Sequence, residues 1–236
     1  MSELSQQFAS IPKLIPGAGA EQIIAAGLAA ATGPVTLACS FSVEDVVLVD
    51  ILHRVAPEVR VFALDTGRLN EETYEVAESL QERYALAIVW YFPERQAVEQ
   101  LERDKGLFSF RASLDNRHEC CRIRKVEPLR RALAGKGGWI TGLRRAQSVT
   151  RAELAPIEID QANRGLLKIN PLLAWSDEQT WDYAKEHRLP VNRLHRQGYP
   201  SIGCAPCTRP IREGEHPRAG RWWWENPEHK ECGLHR

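Results

Sequence analysis

The sequence predicts an α/β protein with a parallel, twisted sheet that carries helices on both faces. Between residues 20 and 141, short apolar runs of strand length alternate with longer segments of helical periodicity. Polar turns rich in Ser, Asp and Gly separate these runs. The 236 residues are 43% hydrophobic and 26% charged, which is an ordinary globular composition. Alternating strands and helices are typical of a parallel sheet.

The predicted elements follow in chain order. Short apolar runs bounded by turn residues predict strands at 35–39, 59–64, 87–91 and 139–141. Helical spacing of apolar residues predicts helices at 20–31, 44–54, 70–84, 94–105, 117–134 and 176–187. Asn70 and Ser176 are typical N-cap residues, and Pro128 is expected to interrupt or tighten its helix.

The chain is predicted to form a single domain of residues 1–236 with three parts. Residues 20–175 form the α/β core, and residues 176–225 form an irregular segment that covers it. Residues 226–236 are polar and are predicted to be a mobile tail. Ligands of such sheets bind at the carboxyl ends of strands. The loops after residues 39, 64 and 141 are therefore the candidate binding loops.

Charge and hydropathy exclude some classes of function. Lys and Arg balance Asp and Glu at 31 each, which gives no support to bulk nucleic-acid binding. The longest apolar stretch, 23–31, is shorter than a membrane-spanning helix. The first ten residues lack the pattern of a secretory signal, so we expect a cytoplasmic protein.

Six cysteines in a cytoplasmic protein indicate metal binding or catalysis rather than disulfides. Cys120, Cys121, Cys204 and Cys207 could supply all four ligands of a [4Fe–4S] cluster or a zinc ion. The adjacent pair favours the cluster, because zinc ligands are usually two to four residues apart. Buried or redox-active cysteines remain the alternative. Lys125 lies one helical turn after Cys121 in a basic segment, which is either a charged wall of this site or a solvated helix face.

Several polar residues at strand ends could bind an anion. Ser40 and Ser42 precede a helix N-terminus, where phosphate or sulfate binds well, although serine is also a common N-cap. The loops 64–68 and 141–145 combine glycine with arginine, and could equally be turns with exposed charge. Further guanidinium groups for phosphate or sulfate come from Arg151, Arg218 and Arg221.

Cys232 lies in the tail, apart from the other cysteines and between Lys230 and His235, which favour its thiolate. It is either a nucleophile or a spare exposed thiol. Cys39, by contrast, lies in an apolar run and is expected to be a buried core residue.

Together these motifs resemble the assimilatory adenosine 5′-phosphosulfate (APS) reductases. The resemblance runs from about residue 35 to the C-terminus. It is carried by Cys120-Cys121, by 204–210, 220–224 and 230–235, and by the loops 40–45 and 64–69. It implies the fold of adenine-nucleotide α-hydrolases, the PP-loop type. Phe41 and Ser42 replace the two glycines of the ATP pyrophosphate loop, which speaks against ATP cleavage.

The resemblance also implies a mechanism. Cys232 attacks the sulfur of APS, AMP leaves, and reduced thioredoxin releases sulfite from the S-sulfocysteine. The four paired cysteines would hold a [4Fe–4S] cluster that does not itself pass electrons to the substrate. The phosphosulfate would be held by Ser40, Ser42, Lys125, Arg218, Arg221 and His235. The adenosine would be held by Leu64, Gly142 and Arg151.

The family resemblance further implies a homo-oligomer, with a tetramer as the expected form. A non-catalytic zinc or iron–sulfur binding module is one alternative, although it leaves the Cys232 tail unexplained. Two alternative reactions also remain at this stage. The first is reduction of the 3′-phosphorylated substrate (PAPS), alone or beside APS, although PAPS reductases generally lack the four paired cysteines. The second is ATP-dependent sulfur transfer to tRNA, for which the sequence lacks the pyrophosphate loop and a basic surface.

Overall fold

The structure, a computed structural model, describes residues 11, 13–147, 151, 153–226 and 234. The strands are β1 (Val35–Ala38), β2 (Arg60–Leu64), β3 (Ile88–Tyr91), β4 (Gly138–Ile140), β5 (Ile157–Asp160) and β6 (Leu166–Ile169). The helices are α1 (Ala20–Ala30), α2 (Val43–Val55), α3 (Glu71–Tyr84), α4 (Arg95–Lys105), α5 (Leu114–Cys121), α6 (Glu127–Ala132) and α7 (Asp177–Glu186). A π-helical turn, Arg122–Val126, joins α5 to α6.

The six strands form one sheet in the order β3-β2-β1-β4-β6-β5. β1 pairs in parallel with β2 and β4, and β4 pairs in parallel with β6. The predicted fold class is therefore confirmed. The sequence analysis missed β5 and β6, which form an antiparallel pair at the end of the sheet. Among the described residues, no helix has both the length and the apolar character needed to cross a bilayer.

Helix boundaries agree with the prediction except in the cysteine-bearing segment. The predicted helix 117–134 begins three residues earlier, at Leu114, where Ser113 caps it by accepting a hydrogen bond from the backbone N–H of Asn116. Ser176 caps α7 as predicted, in a capping box with Gln179. Asn70 precedes α3, but its side-chain amide donates to the carbonyl of Gly203.

The chain divides into two compact units. The first comprises residues 1–62, 79–89 and 133–191. Its core contains Leu37, Ile140 and Ile169, which are fully buried on β1, β4 and β6. Helix α1 packs on β6 through Gly27, where a Cβ atom would overlap the side chain of Ile169. The absence of a side chain at position 27 therefore permits this close approach.

The second unit comprises residues 63–78, 90–132 and 192–236. Leu101, Phe110, Cys120 and Ile123 form a buried apolar cluster in it, and Trp224 packs against this cluster. Cys120 thus lies at the edge of a packed core, which fixes the position of its helix.

Candidate metal centre and anion-binding loops

The four paired cysteines line one pocket of the second unit, although 82 residues separate the end of one pair from the start of the other in the sequence. Cys120 and Cys121 are the last two residues of α5, immediately before the π turn. Cys204 and Cys207 flank a short 3-10 turn, in which the backbone N–H of Cys207 donates to the carbonyl of Cys204 at 2.9 Å. The folded chain therefore brings together the four thiols that the sequence singled out.

The wall of this pocket is strongly basic. In the part of the chain that the structure describes, no carboxylate lines it, whereas five cationic side chains do: Arg68, Arg117, Arg124, Lys125 and Arg221. Cations beside thiols favour the thiolate form and stabilise an anionic group. Lys125, which the sequence analysis could also interpret as part of a solvated helix face, belongs to this wall.

The donors of the pocket fit an anionic iron–sulfur cluster. Among the described residues, the buried N–H groups of Arg124 Nε, Arg221 Nε and Trp222 Nε1 have no hydrogen-bond acceptor. Buried donors are normally paired, so a group with further acceptor atoms is expected here. In the described part of the chain, no three His, Cys, Asp or Glu side chains are arranged to hold a single metal ion.

The pKa values of three of these thiols shift in different directions. Burial raises the pKa of Cys204, but Lys125, a 3.3 Å contact with the hydroxyl of Thr66, and nearby arginines outweigh it and lower the pKa overall. Burial and the neighbouring Cys204 raise the pKa of Cys207 to about 12. Burial also raises the pKa of Cys120, although Arg124 opposes the shift. Binding of a metal cluster must therefore displace protons from some of these thiols.

A carboxylate behind the pocket fixes two of its arginines. Glu102 Oε1 accepts hydrogen bonds from Nη2 of Arg68 at 2.9 Å and from Nη2 of Arg124 at 2.6 Å. Arg124 also donates through Nη1 to the carbonyl of Thr66 at 2.7 Å. Glu102 could not be singled out from the sequence, because it is one of several acidic residues on the polar face of α4.

The segment before the tail is attached to the cysteine helix by a buried ion pair. Arg117 Nε lies 2.7 Å from Glu225 Oε1, with the two side chains 0% and 9% exposed. The Arg117 guanidinium also lies 4.7 Å from the ring centroid of Trp222, and that of Arg221 lies 4.6 Å from it. Of the three consecutive tryptophans, Trp222 is therefore a packing residue, as expected for most tryptophans.

In the first unit, a buried carboxylate closes the loop after β1. Asp45 Oδ2 accepts hydrogen bonds from both the backbone N–H and the hydroxyl of Ser40, each at 2.6 Å. Burial raises the pKa of Asp45 to about 6. Phe41 has a left-handed backbone (φ 63°), and Ser42 occupies the N-cap position of α2. The loop thus has the sharp turn of a glycine-containing anion loop without the glycine.

The loop after β4 is joined to α2 by a second buried contact. Arg144 donates through Nε and Nη2 to Glu44 Oε1, at 2.9 and 2.7 Å. Gln147 donates to the same oxygen at 2.9 Å and also contacts Arg151. A Cβ atom on Gly142 would lie 2.9 Å from Cβ of Glu44, so this position requires glycine. The sequence analysis missed this contact, which joins residues 100 apart.

The remaining predicted site residues are distributed as follows. Ser40, Ser42, Gly142 and Arg151 belong to the first unit. Leu64, Lys125, Arg218 and Arg221 belong to the second unit. Cys232 and His235 lie outside the described residues. Cys39 is buried, as the sequence analysis expected.

Comparison with known proteins identifies the family. The model of the phosphoadenosine phosphosulfate reductase domain matches residues 34–210. The adenosine 5′-phosphosulfate reductase of Allochromatium vinosum is 54% identical over 202 residues, which cover 86% of this chain and 78% of the relative. That of Neisseria meningitidis serogroup B is 48% identical over 200 residues, covering 84% and 81%.

Solved structures confirm the fold. The phosphoadenylyl-sulfate reductase of Candida auris superimposes with a TM-score of 0.70 at 24% identity, covering 89% of this chain and 98% of that one. The FMN adenylyltransferase of Candida glabrata in complex with ATP gives a TM-score of 0.55 at 15% identity, covering 97% and 81%. At these identities the likeness concerns the fold alone. Its sequence relatives show that the chain belongs to the phosphoadenosine phosphosulfate reductase domain family, among the adenosine 5′-phosphosulfate reductases.

Proposed function

We propose that this chain reduces adenosine 5′-phosphosulfate to sulfite and AMP during sulfate assimilation. The observation that carries the proposal is the pocket of four thiols with a cationic wall, in a chain that belongs to this family. The four paired cysteines favour APS over its 3′-phosphorylated form. A cytoplasmic homotetramer is part of the same proposal.

The reaction proceeds in two steps. The Cys232 thiolate attacks the sulfur of APS and forms an S–S bond, while the S–O bond to the phosphate breaks and AMP leaves with its electron pair. A thiolate of reduced thioredoxin then attacks the Cys232 sulfur, and sulfite leaves with the electron pair of the broken S–S bond. The second thiol of thioredoxin resolves the mixed disulfide, which restores the Cys232 thiol and leaves thioredoxin oxidised.

Residues of the chain bind and orient the substrate. Ser40 and Ser42 bind the anion: Ser42 donates a hydrogen bond to it, and the Ser40 hydroxyl, which donates to Asp45 in this structure, turns from Asp45 to do the same. Lys125 and Arg221 supply positive charge from the wall of the thiol pocket. Arg218 and His235 complete the phosphosulfate set, and Leu64, Gly142 and Arg151 bind adenosine.

Cys120, Cys121, Cys204 and Cys207 would hold a [4Fe–4S] cluster. When bound, the cluster supplies a fixed anionic centre that pairs with the basic wall and orders the pocket. Iron, acid-labile sulfide and zinc analysis of the purified protein tests this assignment. Zinc without iron would contradict it.

The decisive experiment is intact-protein mass spectrometry after incubation of the iron-loaded protein with APS and no thioredoxin. A covalent nucleophile predicts a sulfonate adduct of about 80 Da on wild type and on Cys39→Ala, but none on Cys232→Ser. Cys39→Ala is the matched control, because it removes a thiol that is buried in the core. The absence of an adduct on the wild type would contradict the mechanism.

Use of PAPS is the second candidate, since the matching domain model is that of the PAPS reductases. Measurement of kcat/KM for both substrates separates the two. We expect kcat/KM to be higher for APS. An equal kcat/KM for PAPS would indicate a dual-specificity reductase, and a higher one would indicate a PAPS reductase.

A further inference from the structure

The second unit has an exposed aromatic patch, formed by Leu107, Phe108, Arg111 and Trp223. Leu107, Phe108 and Trp223 are 58%, 57% and 37% exposed. The guanidinium of Arg111 lies 5.1 Å from the ring centroid of Phe108 and 5.5 Å from that of Trp223. Arg111 therefore joins residues from two distant segments into one surface. Contiguous exposed apolar surface of this kind is typical of an interaction site.

The patch is an outer layer on the packed core of its unit. Phe110, which is 1% exposed, contacts Phe108 and Trp224 at centroid distances of 6.0 and 5.9 Å. Trp224 packs edge-on against Trp223 at 4.7 Å. Because these rings are held by one another, the surface is formed before a partner arrives, which lowers the entropy lost on binding.

The patch is also connected to the thiol pocket. Arg111 donates through Nη2 to the carbonyl of Pro206 at 3.2 Å, and Pro206 lies between Cys204 and Cys207. Phe110 lines the thiol pocket, and its ring also lies 5.1 Å from the guanidinium of Arg68, another residue of the pocket wall. The patch is thus the outer face of the same structure whose inner face carries the thiols.

We propose that the aromatic patch is the docking surface for the thioredoxin-type dithiol protein that reduces this enzyme, an inference that rests on the proposed function. Chain length supports this occupant. Trp223 is nine residues before Cys232, and nine residues span at most about 30 Å. A small protein docked on the patch is therefore within reach of the sulfur that it must attack.

The tail itself is a poor occupant of the patch. Of its ten residues after Asn226, only Pro227, Cys232 and Leu234 are apolar, and none is aromatic. Such a segment cannot cover two exposed aromatic rings and a leucine. The patch composition instead matches the energetic centre of protein interfaces, where tryptophan and arginine are enriched.

The test compares reduction by thioredoxin with reduction by the small dithiol dithiothreitol, which needs no docking surface. The variants are Phe108→Gln and Trp223→Gln. Trp181→Gln is the matched control, because Trp181 is 38% exposed in the first unit. Each variant is assayed for the AMP released in a single turnover without reductant, for KM with thioredoxin, and for the rate with dithiothreitol.

Loss of an interface anchor is expected to raise the KM for thioredoxin about tenfold in both patch variants. The AMP burst and the rate with dithiothreitol should stay at wild-type values, and Trp181→Gln should change neither reductant's kinetics. An unchanged KM for thioredoxin overturns the proposal. A similar fall in the rate with dithiothreitol also overturns it, since the substitution would then affect folding or the chemical step and not docking.

Two further readouts separate the remaining explanations. A change of oligomeric state in the patch variants, measured by light scattering, would assign the surface to contacts between copies and overturn the docking proposal. Calorimetric titration of the unreacted enzyme with thioredoxin tests docking without turnover. Absence of an AMP burst in the wild type would contradict the proposed function, whereas loss of calorimetric binding in Phe108→Gln would still support the docking surface.

Discussion

Removal of the Glu225 carboxylate would take a buried negative charge away from the Arg117 guanidinium in the interior of the second unit. Arg117 is completely buried, and its Nε lies 2.7 Å from Glu225 Oε1. Two other neighbours of the guanidinium among the described residues are the ring of Trp222 and Nε2 of His118, which lies 3.2 Å from Arg117 Nη2. Neither supplies a full negative charge.

The expected loss is large for one substitution. Breaking a buried ion pair by removing one partner costs about 3–5 kcal/mol. Because a protein of this size loses about 2–4 °C per kcal/mol, the unfolding midpoint of Glu225→Ala should fall by about 6–20 °C. The partial contact with Trp222 favours the lower half of this range.

Thermal and urea unfolding of the iron-loaded protein provide the assay. Glu99→Ala is the control, since Glu99 pairs with Arg95 on the surface of α4, with side chains 49% and 85% exposed. Such a pair contributes less than about 1 kcal/mol. The double variant Arg117→Met with Glu225→Leu should recover most of the loss, because it leaves no unpaired charge. A loss in Glu225→Ala no larger than that in Glu99→Ala would refute the reasoning.

Three other substitutions test the loops and the pocket wall. The raised pKa of Asp45, about 6, means that the folded state binds this proton more tightly than the unfolded state, so protonation of Asp45 stabilises the fold. This contribution to the free energy of unfolding is present below about pH 4, the pKa in the unfolded state, and is lost as the pH rises to about 6. In Asp45→Asn, the change in the free energy of unfolding over this pH range, measured by urea unfolding, should be smaller by up to about 3 kcal/mol. Gly142→Ala should cost about 1–3 kcal/mol by overpacking and raise the KM for APS, as calorimetry and initial rates would show. Glu102→Gln should accelerate the loss of iron in air, measured as the decay of visible absorbance. Glu99→Gln should not, because Glu102 pairs with an arginine of the pocket wall and Glu99 pairs with Arg95 on the surface.

Elements of this fold could be predicted where the hydrophobic pattern of a segment matches its position in the folded protein. The four predicted strands are apolar runs that form strands in the structure, and Ser176 caps α7 through the hydrogen bond that its residue type favours. β5 and β6 were missed because they are four residues each and carry Glu158, Asp160 and Lys168. These charges are compensated only in the folded chain, where Lys168 pairs with Glu158 across the two strands at 3.1 Å.

The candidate site also contains residues that the sequence can predict and residues that it cannot. The four thiols could be predicted, because cysteine in this pattern has few other uses in a reducing compartment. The carboxylates that hold the site together could not, because Glu44, Glu102 and Glu225 resemble any other acidic surface residue in the sequence. Their partners Arg144 and Arg117 are 100 and 108 residues away from Glu44 and Glu225 respectively. Such pairs are set by tertiary structure, and a single sequence carries no local signal for them.

Phe41 shows why a motif can change while its backbone geometry persists. A left-handed conformation costs a residue with a side chain about 1–2 kcal/mol relative to glycine. The Phe41 side chain is 2% exposed, and burial of such a ring contributes about 1.5–3 kcal/mol, which offsets the strain. The loop after β1 therefore keeps its sharp turn with phenylalanine in place of glycine. A ligand at this loop therefore meets the side chains around the turn, above all the hydroxyl of Ser40, which donates to Asp45.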